Sequence, residues 1–254
     1  MIKVSILGTG NVATHLFKAF SKSDEIEIVQ VIGRNKKALL ALAPEEKITS
    51  DFSNLNESDI YIIALSDNSI KTVSELLTHK NKLIVHTSGS TPMNELSRHE
   101  RHGVFYPLQT FSKSNELDFK KVPICLEAEN KEDLVLLKKL ANLVSENVYE
   151  IHTEQRKSLH LAAVFVNNFT NHLYHMGSEI CKENNVRFEI LSPLIQETAR
   201  KIETLSPYEA QTGPARRNDS KTIANQLEQI KKQELKAVYE LLSKSIQATY
   251  GKEL

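Results

Sequence analysis

The sequence has few of the residues that mark exported or metal-binding proteins. Its 254 residues include only two cysteines, Cys125 and Cys181, and it has no C-x-x-C spacing. A chain of this length does not need a disulfide framework, and zinc or redox sites usually require closely spaced cysteines. We therefore expect a reduced, cytoplasmic protein without a metal site.

Net charge and long apolar runs are also missing. The 32 basic side chains are balanced by 32 acidic ones, so no overall field attracts a nucleic acid or an anionic membrane. The apolar run at residues 2–7 is too short for a signal peptide or a spanning helix. These absences predict a protein with no nucleic-acid partner and no membrane segment.

The first 150 residues alternate β-branched strands with helical segments. This alternation is typical of parallel strands joined by right-handed crossovers. Asn35, Asp67 and Asn68 are polar residues that would cap two of the helices. We predict an α/β fold with a doubly wound Rossmann domain at residues 1–152 that binds NAD(P). Its predicted strands are 2–7, 27–32, 60–65, 82–87, 103–106 and 122–127, and its predicted helices are 11–22, 35–43, 68–79 and 93–101.

The remaining residues, 153–254, have no strand pattern and predict a smaller all-α domain with a long central helix. That helix is expected from about Glu154 to Glu183, followed by helices at 187–205, 220–232 and 234–249. Its segment 161–166 is almost entirely apolar, so other helices or a second subunit must cover it. Because a small helical domain buries a low fraction of its surface, we predict a homodimer formed through this domain.

The turn after the first strand has the spacing of a dinucleotide-binding motif. Gly8 permits a tight turn, Gly10 lets the backbone approach a pyrophosphate, and Ala13 keeps the helix close to the sheet. The helix N-terminus then presents N–H groups and a partial positive charge to phosphates. The alternative is a structural turn of another α/β protein. The residues predicted to contact the cofactor here are Gly8, Thr9, Gly10, Asn11, Val12 and Ala13.

The end of the second predicted strand distinguishes NADP from NAD. About 20 residues beyond the motif, NAD enzymes usually place an acidic residue on the ribose hydroxyls. This chain instead has Gly33, followed by Arg34, Asn35 and two lysines. A guanidinium with neighbouring donors suits a 2′-phosphate, although these residues can also form a solvated helix start. We predict NADP as the cofactor, contacted here by Gly33, Arg34 and Asn35.

Two further loops follow predicted strands and should border the nicotinamide half of the cofactor. Open α/β sheets bind ligands at the carboxyl ends of their strands, and the small side chains of these loops permit close contact. Asp67 can equally be a helix cap, and His86 can be a strand histidine that points away from the site. The predicted contacts are Leu65, Ser66, Asp67, His86, Thr87, Ser88 and Gly89.

The predicted catalytic residues lie in the helical domain, facing a cleft between the domains. A hydride transfer needs a polarised carbonyl or imine and a proton donor. His160 and Asn168 share one stripe of the long helix. A buried asparagine requires a partner, so Asn168 is expected to hold a substrate carbonyl or the nicotinamide amide, or to join helices or subunits. Arg217, in the turn 212–219, is expected to bind a substrate carboxylate or to be a surface residue, and Asp219 is the expected N-cap of the next helix.

Over essentially its whole length the chain resembles bacterial Rossmann-like proteins with a helical C-terminal domain of unknown function, grouped as NADP- or deazaflavin-dependent oxidoreductases. The loop after the sixth predicted strand often begins with His-Pro in that group, whereas this chain has Tyr106 before Pro107. The resemblance therefore does not imply a proton donor in that loop. The matching segments are 6–13, 86–89, 106–111, 163–169 and 212–214, with Arg217 and Asp219.

More distantly the chain is similar to pyrroline-5-carboxylate reductase, ketopantoate reductase and the 6-phosphogluconate dehydrogenase-like proteins, a resemblance that implies a dimer-forming helical domain. The β-hydroxyacid dehydrogenases place a catalytic lysine about one turn before an asparagine. Here Lys157 precedes Asn168 by eleven residues, so that mechanism is not implied. We predict an NADP-dependent reductase of a small carbonyl or imine. The alternative is a sensor or scaffold that binds NADP without turnover.

Overall fold

The structure is a computed structural model that describes residues 1–52, 55–78, 81–112 and 116–251. The chain divides into two compact units, Met1–Asn168 and Phe169–Leu254. The first unit contains a mostly parallel sheet with helices, and the described residues of the second are helices and turns. The predicted fold class is confirmed. The domain boundary at residue 152 stays a prediction.

The described residues of the first unit form an eight-stranded sheet. Its strands are β1 (Ile2–Leu7), β2 (Ile26–Ile32), β3 (Ile48–Thr49), β4 (Ile60–Ile63), β5 (Leu83–His86), β6 (His102–Pro107), β7 (Ile124–Ala128) and β8 (Val148–Glu150). They lie in the order β3-β2-β1-β4-β5-β6-β7-β8. All neighbours are parallel except β6 and β7, which are antiparallel.

Apolar side chains cover both faces of this sheet, as expected for a largely parallel one. On β4, Ile60 and Ile62 belong to one core, whereas Tyr61 and Ile63 belong to another. Helices α1 and α4 contribute to the first core and α3 to the second. The helices of this unit are α1 (Asn11–Phe20), α2 (Lys36–Leu40), α3 (Asp67–Ser74), α4 (Lys131–Asn142) and α5 (Thr153–Ala163).

Some elements of the first unit differ from the sequence prediction. Helix α4 and the short strands β3 and β8 were not predicted. The predicted helix 93–101 is only a 3-10 turn at Met93–Leu96, because Leu96 is the single apolar residue between positions 94 and 101. The predicted helix 68–79 is α3, and its last predicted residue lies outside the described part of the chain.

The strand pattern also predicted parallel pairing throughout, and this is wrong for β7. Parallel neighbours need a crossover connection, usually a helix. Among the described residues between β6 and β7, only a 3-10 turn at Phe119–Lys121 is helical. The chain therefore returns antiparallel to β6.

The second unit consists of α6 (Thr170–Glu183), α7 (Ser192–Lys201), α8 (Pro207–Ala210), α9 (Ser220–Gln229) and α10 (Gln233–Tyr250). Helix α10 corresponds to the helix predicted at 234–249, and Gly251 is its C-cap. The long helix predicted from 154 to 183 is not one α-helix. It consists of α5, a π-helical stretch at Val164–Phe169, and α6, and the π-helical turns are wider than those of an α-helix.

The apolar segment at the end of α5 is exposed in the single chain. Leu161 is 61% exposed and Val166 is 74% exposed. Asn168 is exposed as well, so the expectation that it is buried is wrong for the single chain, and its predicted roles stay predictions. None of the helices in the described ranges is long and apolar enough to cross a membrane.

Candidate functional site

The turn after β1 has the geometry of a phosphate-binding loop. Gly8 has a φ of +135°, and a Cβ there would lie 2.2 Å from the carbonyl oxygen of Ala64, so only glycine fits. Gly10 is the N-cap of α1, and a Cβ there would meet nothing within 4 Å. Ala13 is fully buried in the core beneath. The turn is therefore closely packed at Gly8 and open at Gly10.

The N-terminus of α1 is available to an anion. No side chain caps it, and its first turn contains no acidic residue. Other helices of the chain do have side-chain caps, including α2 at Asn35 and α4 at Asn130. Uncapped N–H groups and the positive end of the helix dipole favour a phosphate at this position.

The predicted cofactor contacts lie at one edge of the sheet, within the first unit. Strands β2, β1, β4 and β5 are consecutive neighbours, and the chain order reverses between β1 and β4. Ligands of open α/β sheets bind at such a point, beyond the carboxyl ends of the strands. The segments that follow these four strands are Gly8–Ala13, Gly33–Asn35, Leu65–Asp67 and Thr87–Gly89, the last beginning directly after His86.

Arg34 projects from this edge without a partner in the described part of the chain, and its side chain is exposed. Its neighbours are engaged: Asn35 Oδ1 accepts a hydrogen bond from the Ala38 amide at 3.1 Å, and Lys36 lies 3.6 Å from Glu45. Asn35 is the N-cap of α2, as predicted. The guanidinium of Arg34 is thus free to meet an anion.

The loops after β4 and β5 are tied to each other. Ser90 Oγ donates a hydrogen bond to Asp67 Oδ2 at 2.5 Å. Neither Asp67 nor Asn68 caps α3, because that helix begins at Asp67 after Ser66, whose hydroxyl instead pairs with Ser69. The prediction of a cap at these two positions is wrong, and the Asp67 carboxylate holds the neighbouring loop.

The imidazole of His86 is fully buried at the end of β5. Its Nδ1 accepts a hydrogen bond from the Ser88 amide at 3.2 Å. Burial, together with the nearby Arg156 guanidinium, lowers the pKa of His86 to about 3, against smaller raising effects of the Pro92 backbone and Asp67. His86 is therefore neutral near pH 7, and its buried ring holds the loop by accepting the hydrogen bond from the Ser88 amide.

Tyr106 and His160 meet at the next loop position. The Tyr106 hydroxyl lies 3.0 Å from His160 Nδ1, and a Cβ at Gly89 would lie 2.5 Å from that same nitrogen. Burial raises the pKa of Tyr106 to about 12, so the phenol keeps its proton at neutral pH. Sequence reasoning selected His160 but not Tyr106, because the resembling group often has histidine at that position.

These two side chains line a cavity of about 460 Å³. The loop after β6 forms part of its wall, and this loop is held against α1, where Asn11 Nδ2 donates to the Phe111 carbonyl at 2.8 Å. The loop that borders the cavity is therefore joined to the helix that follows the phosphate-binding turn, and none of the described lining residues is Asp, Glu, Lys or Arg. They are Tyr106, Leu108, Gln109, Thr110, Leu159, His160, Ala162, Ala163, Val166, Asn167 and Asn168.

Comparison with known proteins follows the same division of the chain. Residues 3–89 match the family described as NADP oxidoreductase, coenzyme F420-dependent, and residues 122–246 match a domain of unknown function, DUF2520. A crystal structure from Bacteroides fragilis, provisionally described as an NADP oxidoreductase, is 42% identical, with a TM-score of 0.88, and the match covers 97% of this chain and 98% of that chain. The chain belongs to this NADP oxidoreductase family.

More distant structures share the fold of this family member. Pyrroline-5-carboxylate reductase from Streptococcus pyogenes is 16% identical with a TM-score of 0.61, covering 99% of this chain and 97% of that chain. An imine reductase from Myxococcus stipitatus, solved with NADP⁺, is 16% identical with a TM-score of 0.67. The match covers 98% of this chain and 96% of that chain. No curated protein matches the chain significantly. The family places the protein among oxidoreductases that use a nicotinamide cofactor.

Two arginines in the turn before α9, Arg216 and Arg217, have different surroundings. Arg216 Nη1 contacts the carbonyl oxygens of Tyr208, Glu209 and Gln211, and its guanidinium lies 5.2 Å from the ring centre of Tyr250. Arg216 therefore organises its own turn. Arg217 is exposed. Asp219 caps α9 as predicted, and its pKa is lowered first by hydrogen bonds from Thr222 and further by the charge of Arg217.

Arg156 is a site residue that sequence reasoning did not select. It is fully buried, with its guanidinium against the loop after β5. A single arginine among polar residues at a helix start gives no sequence pattern that predicts burial. Among the described residues, no group of three or more His, Cys, Asp or Glu side chains could hold a metal ion.

Proposed function

We propose that this family member is an NADP-dependent oxidoreductase that reduces a small carbonyl or imine at the cavity beside Gly89. The observation that carries the proposal is the contact of His160 and Tyr106 with the loop that follows β5. This contact brings a pair of proton-carrying side chains to the edge of the sheet where the phosphate-binding turn lies. The separate requirements of a reduction are then met in one place.

The residues at this edge fit a dinucleotide with a 2′-phosphate. The space above Gly10 is open and the N-terminus of α1 is uncapped, as a pyrophosphate requires. The exposed, unpaired guanidinium of Arg34 suits a further phosphate, and no carboxylate occupies residues 33–37 to bind ribose hydroxyls instead. We therefore favour NADP over NAD.

When bound, the nicotinamide supplies or accepts a hydride, and the chain must manage the proton. Tyr106 keeps its own proton, so its oxygen can accept a hydrogen bond from Nδ1–H of a protonated His160. The protonated ring donates its Nε2 proton to the substrate oxygen or nitrogen and is left as a neutral imidazole. Asn168 lines the same cavity and can donate from its amide to a substrate carbonyl.

The cavity walls restrict the substrate. Leu159, Ala162 and Val166 provide apolar surface, and the polar groups are neutral side chains. This favours a small carbonyl or imine compound with an apolar body. Arg217 of the helical unit is the cationic candidate for a substrate that carries a carboxylate.

We further propose a cytoplasmic homodimer. Both cysteines are free, as expected in a reducing compartment. Large apolar side chains of the second unit are exposed, including Ile190 at 67% and Leu194 at 63%. Exposed apolar surface of this extent marks a contact with another chain, and a second copy satisfies it symmetrically.

The test combines binding with turnover. Calorimetry should show NADPH binding more tightly than NADH. Purified protein with NADPH should then oxidise it in the presence of cyclic imines, keto acids, neutral ketones or oxidised coenzyme F420. Each imine and ketone should be offered with and without a carboxylate. Binding without oxidation in any mixture would instead favour a sensor or scaffold, and no binding of either dinucleotide would contradict both functions.

A further inference from the structure

The buried arginine of α5 joins three separate parts of the first unit. Arg156 Nη1 lies 3.1 Å, 3.2 Å and 2.8 Å from the carbonyl oxygens of Ser88, Gly89 and Thr91. Its Nη2 donates to Glu127 Oε2 on β7 and to Thr153 Oγ1 at the start of α5, both at 3.1 Å. One guanidinium thus fixes the loop after β5 to β7 and to the helix that carries His160.

These contacts determine which way the loop peptides face. No cis peptide bond occurs in the described chain, and in a trans peptide the C=O and N–H groups point in opposite directions. Because the Ser88 carbonyl faces Arg156, the N–H of Gly89 must point away from it. Within the described residues this N–H has no acceptor, whereas the Ser88 amide donates to His86 and the Ser90 and Thr91 amides donate to Ser88 Oγ.

Arg156 also sets the place of His160. The two residues are four apart on α5, so they lie on the same helix face, one turn from each other. Arg156 contacts the loop at its carbonyl oxygens, and His160 contacts it at the Cα of Gly89. Any change in the distance between α5 and the loop at Arg156 therefore moves His160 relative to Gly89.

Stability alone does not explain this arrangement. The Nε–H of Arg156 is buried without a partner among the described residues, and burying a charged group with an unpaired donor is costly. A buried ion pair is often replaceable by apolar side chains without loss of stability. Apolar side chains could not, however, hold the carbonyl oxygens of Ser88, Gly89 and Thr91 on the same side of the loop.

We propose that Arg156 is a positioning residue: it presents the free Gly89 N–H to the nicotinamide half of the cofactor and seats His160 beside it. The part of this inference that concerns cofactor binding rests on the proposed function. The positioning of the loop itself does not require a bound cofactor.

Arg101 provides a matched control at the opposite edge of the sheet. Its Nε donates to the buried carboxylate of Asp133 at 2.9 Å, and its Nη1 donates to the Asn81 carbonyl at 3.0 Å, just before β5. Arg101→Lys and Arg156→Lys both keep a charge and lose a forked contact. Only Arg156→Lys should alter the cofactor loop.

The sequence allows the Gly89 amide to be observed singly. Gly89 is the only glycine that follows a serine, so carbonyl-¹³C serine combined with ¹⁵N glycine gives one filtered NMR signal. NADP⁺ should shift this signal saturably in the wild-type protein. Arg156→Lys should move the signal without cofactor, accelerate its hydrogen exchange, and weaken NADP⁺ binding about fivefold or more by calorimetry. Arg101→Lys should change each of these by less than about twofold.

The outcomes separate the inference from the proposed function. If the wild type binds NADP⁺ by calorimetry but the Gly89 signal does not move, or if both lysine variants behave alike, the inference is wrong. If the wild type binds no dinucleotide, the proposed function and the cofactor half of the inference fail together. Exchange at Gly89 in the free protein then still decides whether Arg156 holds the loop. If Arg156→Lys does not fold, Glu127→Gln takes its place: it keeps Arg156 but weakens one of its contacts, so it should move the Gly89 signal and accelerate its hydrogen exchange in the free protein, and an unchanged signal would contradict the inference.

Discussion

The hydroxyl of Tyr106 lies 3.0 Å from Nδ1 of His160, although 54 residues separate them in the chain. Tyr106 is buried near the carboxyl end of β6, and His160 lies in the last turn of α5. A side chain larger than hydrogen at Gly89 would collide with both of them. Strand, helix and loop therefore converge on one point at the carboxyl edge of the sheet.

Loss of the His160 imidazole should remove the proton donor. We expect His160→Gln to lower kcat by about 10²-fold or more, with NADPH affinity changed by less than about threefold. Tyr106→Phe keeps the ring but loses the hydroxyl that orients the imidazole, so kcat should fall by about tenfold. Steady-state kinetics and calorimetry would measure these changes.

The control for this pair is His102→Gln, since His102 is buried at the other end of β6, where its Nδ1 lies 2.8 Å from the His99 carbonyl oxygen. It should reduce stability without a selective loss of kcat. Equal losses of kcat in His160→Gln and His102→Gln would contradict the role assigned to His160.

Gly10→Ala should separate cofactor binding from folding. A Cβ at position 10 would meet nothing within 4 Å, and the backbone φ of −75° suits alanine, so the free energy of unfolding should change by less than about 1 kcal/mol. The methyl group would stand where the pyrophosphate must approach, so the dissociation constant of NADPH should rise about tenfold or more. Urea unfolding and calorimetry would measure the two effects.

Gly177→Ala, in the middle of α6, is the matched glycine control. The nearest atom to its Cβ would be a Phe188 ring carbon at 3.8 Å, an ordinary contact. Removing a helical glycine should stabilise the protein by up to about 1 kcal/mol and leave NADPH affinity unchanged. Unaltered NADPH binding in Gly10→Ala would show that the turn does not hold the pyrophosphate.

The choice between NADP and NAD should depend on Arg34. Its charge-assisted bonds to a 2′-phosphate are worth roughly 1.5–3 kcal/mol, so Arg34→Ala should weaken NADPH binding by about tenfold or more and NADH binding by less than about twofold. Lys22→Ala, an exposed cation beyond the far end of α1, should change neither. Equal losses for both dinucleotides would contradict the assignment.

The sequence was sufficient where function depends on residues close together in the chain. The spacing of Gly8, Gly10 and Ala13 predicted the turn, the helix start and the strand that precedes them, because the motif residues lie close together in the chain. The close approach of the Ala64 carbonyl to Gly8 is a long-range contact that this spacing does not show. Asn35 and Asp219 were predicted as helix caps on the same local basis. Each of these two caps reaches only three residues along the chain.

The rest of the site depends on contacts that local patterns do not encode. Arg156 reaches carbonyl oxygens 65 to 68 residues away, and nothing near it in the sequence indicates burial. Asn168 was expected to be buried because its neighbours are apolar, yet those neighbours are exposed in the single chain. An apolar helix face predicts burial, but it does not show whether the same chain or a second chain buries it.

His86 should make the protein sensitive to acid. The folded-state pKa of about 3 lies below the ordinary value of 6.5, so between these values the unfolded chain binds a proton that the folded chain does not. Stability therefore falls as the pH decreases through this window, by about 1.4 kcal/mol for each pH unit once below 6.5. From pH 7 to pH 5 this group should cost about 2 kcal/mol.

His86→Asn isolates this effect, since its side-chain oxygen can accept from the Ser88 amide as Nδ1 does and asparagine does not titrate. Urea unfolding of both proteins at pH 7, 6 and 5 would give the two slopes. The wild type should lose about 2 kcal/mol more than His86→Asn over this range. Parallel slopes would show that His86 is not held neutral in the folded protein.

Self-association should depend on the exposed apolar side chains of the second unit. Light scattering at micromolar concentration should give about twice the chain mass of 28.7 kDa. Leu194, 63% exposed on α7, should stabilise the dimer by burial, so Leu194→Lys should shift the mass toward that of a single chain. Val135, 67% exposed on α4 of the first unit, is the matched control, and Val135→Lys should remain dimeric. A wild-type protein with the mass of one chain would contradict the proposed dimer.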